Sequence, residues 1–179
     1  EVPPQGGDTL FSNMYLASGV PRIPELLAAG VTVALASDGP GSNNRQHMFE
    51  AMKASILLQK VHHLEAMVLQ PEDALAMACR GGAAALARSG DLGSIETGRR
   101  ADLTFVDLRS PHIAPVHSVA SALVFCATPQ DVVHVMIDGS LVVKDGAIPG
   151  LDLEALLDEA TDAAAELFSR AGIQSRLNR

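Results

Sequence analysis

Val31-Thr-Val-Ala-Leu-Ala36 is a six-residue run, β-branched at its start and apolar in character, with no alternation of polar and apolar positions. A strand without alternation is buried on both faces, as in a parallel sheet covered by helices. Residues 21–29 before it read as a short helix, ended by Gly30, a residue that tolerates positive φ. Ser37-Asp38-Gly39-Pro40-Gly41 after it is a polar turn. A helix is expected from about Arg45 to Val61, where Met48, Met52, Ile56 and Leu57 recur at helical spacing. Helix, glycine, buried strand, polar loop and helix in that order form the repeating unit of an α/β fold.

The rest of the chain fits around this unit. Residues 1–9 hold two prolines and two glycines and read as an irregular lead-in. Pro71 suits the first turn of a helix reaching about Cys79, and a break at Gly81-Gly82 separates a short second helix. From Asp91 the pattern turns to β. Strands are expected over 102–108, 120–126, 132–137 and 140–144, with Asp138-Gly139 as a two-residue hairpin turn. Residues 151–171 read as an amphipathic helix. The expected boundaries are therefore 1–90 (α/β), 91–148 (mostly β) and 149–179 (helix and tail).

Composition narrows the function classes. The net charge of −8 gives no electrostatic pull toward nucleic acid or an anionic membrane surface. No apolar run reaches the ~18 residues of a membrane span, and no secretory leader pattern opens the chain. Glu1 in place of Met points either to a natural start lost upstream or to removal of a tag or leader. With 3% aromatic residues, the core must be built from Ala, Leu, Val, Ile and Met. Two cysteines, Cys79 and Cys126, make no disulfide framework; both are expected as reduced core thiols, which suits the cytoplasm.

Asp38 is the residue best placed for chemistry. It follows the carboxyl end of a buried strand, where α/β proteins place their reactive groups. A carboxylate there binds a cation or moves a proton; equally, it caps the next helix or closes an Asx-turn. Ser42, Asn43 and Asn44 either hydrogen-bond a polar heterocycle or cap that helix. Glu50 and Lys53 are expected on its solvated face. Among the histidines, His62 and His63 are expected at the surface and His134 as a packed strand residue. Gly81-Gly82 lacks the spacing of a phosphate loop.

Four segments resemble the amidohydrolase superfamily, in that family's order. Ser37-Asp38-Gly39-Pro40-Gly41-Ser42-Asn43-Asn44 followed by Met48-Phe49-Glu50 is similar to its last-strand motif. Ser12-Asn13-Met14-Tyr15-Leu16-Ala17-Ser18-Gly19-Val20 resembles the segment after the seventh strand. Asp91-Leu-Gly-Ser-Ile-Glu96-Thr-Gly-Arg-Arg-Ala-Asp102 resembles the entry to the terminal β domain, and Val135-Met-Ile-Asp138-Gly-Ser-Leu-Val-Val-Lys-Asp145-Gly its closing hairpin. The match spans residues 12–148 and is nearest the branch of methylthioadenosine/S-adenosylhomocysteine deaminases, guanine deaminases and triazine hydrolases.

The resemblance implies an α/β fold: the carboxyl-terminal part of a metal-dependent (β/α)8 barrel plus part of its β-sandwich domain. It implies a hydrolase acting on C–N bonds of a small heterocyclic substrate, most simply an aminopurine or its nucleoside, with a triazine hydrolase as the alternative. It implies a divalent metal, zinc before iron, and a homo-oligomer. Carried over by position, Asp38 is the metal ligand and proton acceptor, and Asn13, Ser42 and Asn43 contact substrate. The departures are as informative. The family's His-x-His pair is missing, and all six histidines follow Asp38. His47 stands where the family often has an acidic residue, and residues 1–11 depart from the expected strand end. One carboxylate does not make a zinc site of three protein ligands and a water. These 179 residues alone are therefore expected to be inactive and to bind metal weakly. A free-standing, non-catalytic module is the other reading.

Overall fold

The computed structural model describes residues 5–8 and 10–173, with side chains from Asn13 onward. The chain forms two units, Glu1–Gly146 and Ala147–Arg179.

In the first unit, β1 (Gln5–Asp8) pairs in parallel with β2 (Thr32–Leu35), in register from Gln5 opposite Thr32 to Asp8 opposite Leu35. The irregular lead-in expected over 1–9 is thus corrected: its described part contains a strand. Gly6 and Gly7 carry no side chain and leave no periodic signal, so the strand owes its form to pairing with β2. Two short helices, α1 (Leu10–Tyr15) and α2 (Ile23–Ala28), join the strands, and Gly30 turns the chain at φ +75°. Val33, Ala34 and Leu35 are all buried, as the run without alternation requires.

After β2 come α3 (Pro40–Asn43) and α4 (Met48–His63). The buried positions of α4 fall at Ala51, Met52, Ser55, Ile56 and Gln59, one stripe of an α-helix. α4 starts at Met48, later than expected, because His47 caps it: its Nδ1 accepts from the Glu50 backbone N–H at 3.0 Å. Beyond it, α5 (Pro71–Ala76) runs through a π-helical turn at 77–81 into α6 (Gly82–Ala85). The expected break at Gly81-Gly82 is corrected, since both glycines hold helical angles. Gly81 serves close packing instead. A Cβ built there lies 2.2 Å from the Val33 carbonyl oxygen, so only glycine lets the helix sit on β2. Cys79 is exposed, which corrects its placement in the core, and Cys126 is half-buried.

β3 (Leu103–Val106), β4 (Val132–Ile137) and β5 (Ser140–Lys144) form an antiparallel sheet in that order. Asp138 and Gly139 both take positive φ, +50° and +79°, as a type I′ hairpin turn demands. The strand expected over 120–126 is corrected to helix: α7 (Val119–Ser121) continues as a π-helical turn over 122–126. The Ser118 hydroxyl accepts from the Ser121 N–H at 3.1 Å, and Val124 is buried in the core beside Ile56 and Met77. An apolar run of this length is compatible with either structure, and here the cap and the packing decide.

Asp131, 5% exposed, clasps the segments ahead of β4. Its carboxylate accepts from the Ser110 hydroxyl, from the Thr128 N–H and hydroxyl (both 2.8 Å), and lies 2.9 Å from His112 Nε2. Burial opposes the charge, but the bonds from Ser110, His112 and Thr128 outweigh it and hold the carboxyl well below the usual carboxylate range. A depressed folded pKa means stability that is complete above the unfolded value, about 4, and lost as pH falls below it. Asp131→Ala is expected to cost about 3 kcal/mol at pH 7. In thermal melts from pH 7 to pH 3, the gap between parent and variant should be constant down to about pH 4 and narrow below it. A gap independent of pH would contradict the clasp.

In the second unit, α8 (Leu153–Arg170) is capped by Asp152, whose side chain accepts from the Ala155 N–H at 3.1 Å. It matches the amphipathic helix expected over 151–171. Among the described residues, no helix is long and apolar enough to cross a membrane.

Candidate active site

Parallel strands put their carboxyl ends on one edge, so the segments leaving β1 and β2 emerge together. Asp38 stands in the loop after β2, half-buried, at φ +60°. That left-handed conformation is uncommon for a residue with a side chain, and aspartate is among the few that adopt it readily. Its Oδ1 accepts from the Gly39 N–H at 2.8 Å.

The loop is braced from within. Asn43 is buried, and its side-chain Nδ2 donates to the Ser37 carbonyl at 2.6 Å. Pro40 suits the first turn of α3, and the N–H groups of Ser42 and Asn43 both donate to the Gly39 carbonyl at 3.0 Å. Asn44 ends the turn at φ +62° and donates from Nδ2 to the Tyr15 hydroxyl at 3.1 Å, tying the loop to α1.

The expected residues therefore divide. Asp38 stands at the strand end and Ser42 is exposed beside it. Asn43's amide is engaged by the loop backbone. Asn13 is half-buried on α1, the helix that Tyr15 ties to the loop. Capping of α4 falls to His47, not to Asp38 or Ser42–Asn44. Lys53 is exposed on α4, as expected, with its Nζ donating to the Phe125 carbonyl at 3.0 Å. His134 is packed in β4, where its Nδ1 accepts from the Asp145 N–H at 3.1 Å. His62 is exposed, whereas His63 is half-buried 3.9 Å from Glu25.

Among the described residues, no three His, Cys, Asp or Glu side chains gather into a group able to hold a metal ion. A catalytic zinc takes three protein ligands and a water. These residues thus do not fit a zinc centre by themselves. What the edge offers is a carboxylate held by the Gly39 N–H, polar groups at Ser42 and Asn13, and an exposed aromatic ring at Tyr15. Tyr15 lies in the segment that resembles the one after the family's seventh strand, but its tie to Asn44 spans 29 positions and has no local signature in the sequence.

Residues 2–142 match the amidohydrolase family, and the chain belongs to it. It is 42% identical over 161 residues to a 5-methylthioadenosine/S-adenosylhomocysteine deaminase of Halobacterium salinarum, covering 90% of this chain and 37% of that protein. It is 35% identical over 166 residues to an S-triazine hydrolase of Gordonia rubripertincta, covering 90% and 35%. Among solved structures, a zinc-bound adenosine deaminase from Xanthomonas campestris superposes with a TM-score of 0.88 at 32% identity, over 91% of this chain and 37% of the other. An atrazine chlorohydrolase from Arthrobacter aurescens complexed with zinc gives 0.81 at 26% identity, over 87% and 35%. The chain therefore spans little more than a third of the length of these relatives.

Proposed function

We propose that this chain supplies the last strands and the catalytic carboxylate of a hydrolase that deaminates an aminopurine, its nucleoside or a related heterocycle. Asp38 carries the reading: a carboxylate in a left-handed, internally braced loop at the carboxyl edge of a parallel strand pair, within a chain of the amidohydrolase family. In this reading β1 and β2 are the closing strands of a (β/α)8 barrel, 91–148 is part of a β-sandwich domain, and 149–179 is a terminal helix and tail. The zinc-bound neighbours support zinc as the divalent metal, for which Asp38 is one ligand and the others come from outside these 179 residues.

The chemistry of this chain's own residues is proton transfer. The Asp38 carboxylate takes a proton from the water that attacks the amine-bearing carbon. It returns that proton to the departing nitrogen, which leaves as ammonia. Ser42 and Asn13 hydrogen-bond the heterocycle, and Asn43 holds the loop. The protein works as a cytoplasmic homo-oligomer.

A triazine hydrolase is the second reading, favoured by 35% identity to the S-triazine hydrolase. A panel of aminopurine nucleosides, guanine, aminopterins and chloro- and aminotriazines, offered to the product of the full reading frame, separates the two. Ammonia release from the purines is expected; release of chloride or alkylamine from triazines alone would favour the second. No turnover across the panel by a zinc-loaded protein would favour the non-catalytic module.

A further inference from the structure

Tyr15 is the chain's single tyrosine, there is no tryptophan, and the side chain is 62% exposed. An exposed ring is usually free to swing, but this one is tied, its hydroxyl accepting from Asn44 Nδ2 at 3.1 Å. Asn44 is itself fixed. Its backbone sits at φ +62° and its N–H donates to the Pro40 carbonyl at 2.9 Å. The preceding Asn43 anchors to Ser37, the neighbour of Asp38. Two side-chain amides thus connect the aromatic ring and the catalytic loop through one short turn. Both segments leave the same edge of the β1–β2 pair.

We propose that Tyr15 is the aromatic contact for the planar heterocycle beside Asp38, with Asn44 setting the position of its ring. The proposal rests on the hydrolytic reading of Asp38 and adds a substrate-binding contact to it. A phenol ring presents a flat π-face to a heteroaromatic base, a contact that tolerates different ring substituents, while the bond from Asn44 to its hydroxyl limits the ring's swing.

The test uses the product of the full reading frame with adenosine as probe. Tyr15→Ala is expected to raise KM about tenfold while kcat stays within about twofold, the size of one lost base–aromatic stack. Tyr15→Phe keeps the ring and Asn44→Gly keeps the left-handed turn at φ +62° while removing the tie, and each should raise KM by a smaller, similar factor. Calorimetry on the Asp38→Asn background reads binding without turnover, and there Tyr15→Ala should weaken adenosine about tenfold. Unchanged KM and unchanged adenosine affinity in Tyr15→Ala, with Asp38→Asn inactive, overturn the proposal and leave the hydrolytic reading intact. Undiminished turnover in Asp38→Asn overturns the hydrolytic reading itself, and absence of adenosine binding by the parent protein removes the contact. A change of subunit mass in Tyr15→Ala with KM unchanged also overturns it, and would assign the exposed Met14-Tyr15-Leu16 patch to contact between chains.

Discussion

Asp38→Asn should lower the turnover of the full-reading-frame product by about 10²–10⁴-fold, the range measured for loss of a positioned general acid–base group. Asparagine keeps the side-chain shape and an oxygen able to accept from the Gly39 N–H, which Asp38 Oδ1 now holds at 2.8 Å. It also tolerates the left-handed backbone at φ +60°. The substitution therefore removes the charge and the basicity with little change to the loop. The melting temperature should stay within a few degrees of the parent. Asp38→Ala should be worse on both counts, because it also strips the acceptor from Gly39 and places a β-carbon with no local hydrogen bond in the same conformation. Steady-state kinetics beside thermal melts separate the two effects. A variant that loses activity only in proportion to lost folded protein would show that Asp38 is structural.

Gly81→Ala should be strongly destabilising. The new Cβ would lie 2.2 Å from the Val33 carbonyl oxygen and 3.1 Å from the Ala34 Cα. Both are backbone atoms of a buried strand, so no side chain can swing aside. Helix and strand must separate, and the cost falls at the upper end of overpacking penalties, about 3 kcal/mol. In melting temperature that is a drop on the order of 10 °C. Gly82→Ala is the control. Nothing lies within 4 Å of its Cβ position and its angles are already helical, so alanine there should be neutral or slightly stabilising. Because β2 leads directly into the Asp38 loop, Gly81→Ala should also lower activity per folded molecule. Equal melting temperatures for the two variants would contradict the packing described here.

How much of this was legible in the sequence follows from the range of each interaction. β2 and α4 were legible because an apolar run without alternation and a stripe of period 3.6 are local patterns. The Asp138-Gly139 turn was legible because it demands positive φ at two consecutive residues. β1 was not, since Gly6-Gly7 has no pattern to read and its geometry comes from a partner strand more than twenty positions away. The 120–126 run is apolar enough for strand or helix, and the Ser118 cap and the packing of Val124 decided it. The position of Asp38, in a polar loop after a buried strand, was legible from the apolar run and the Gly/Pro turn that follows it. The buried amide of Asn43 was not, because capping and bracing use the same residue type. The Asp131 clasp joins residues 21 positions apart and the Tyr15–Asn44 tie 29, distances over which sequence carries no periodic signal.

In the reading proposed above, Asp38 works in a hydrolytic centre whose remaining metal ligands lie outside these 179 residues. Ammonia release from S-adenosylhomocysteine, methylthioadenosine and adenosine by the purified 179-residue chain, with equimolar zinc, tests it most directly. No turnover above the zinc-only background is expected. Enzyme-like ammonia release with one zinc bound per chain would contradict the claim.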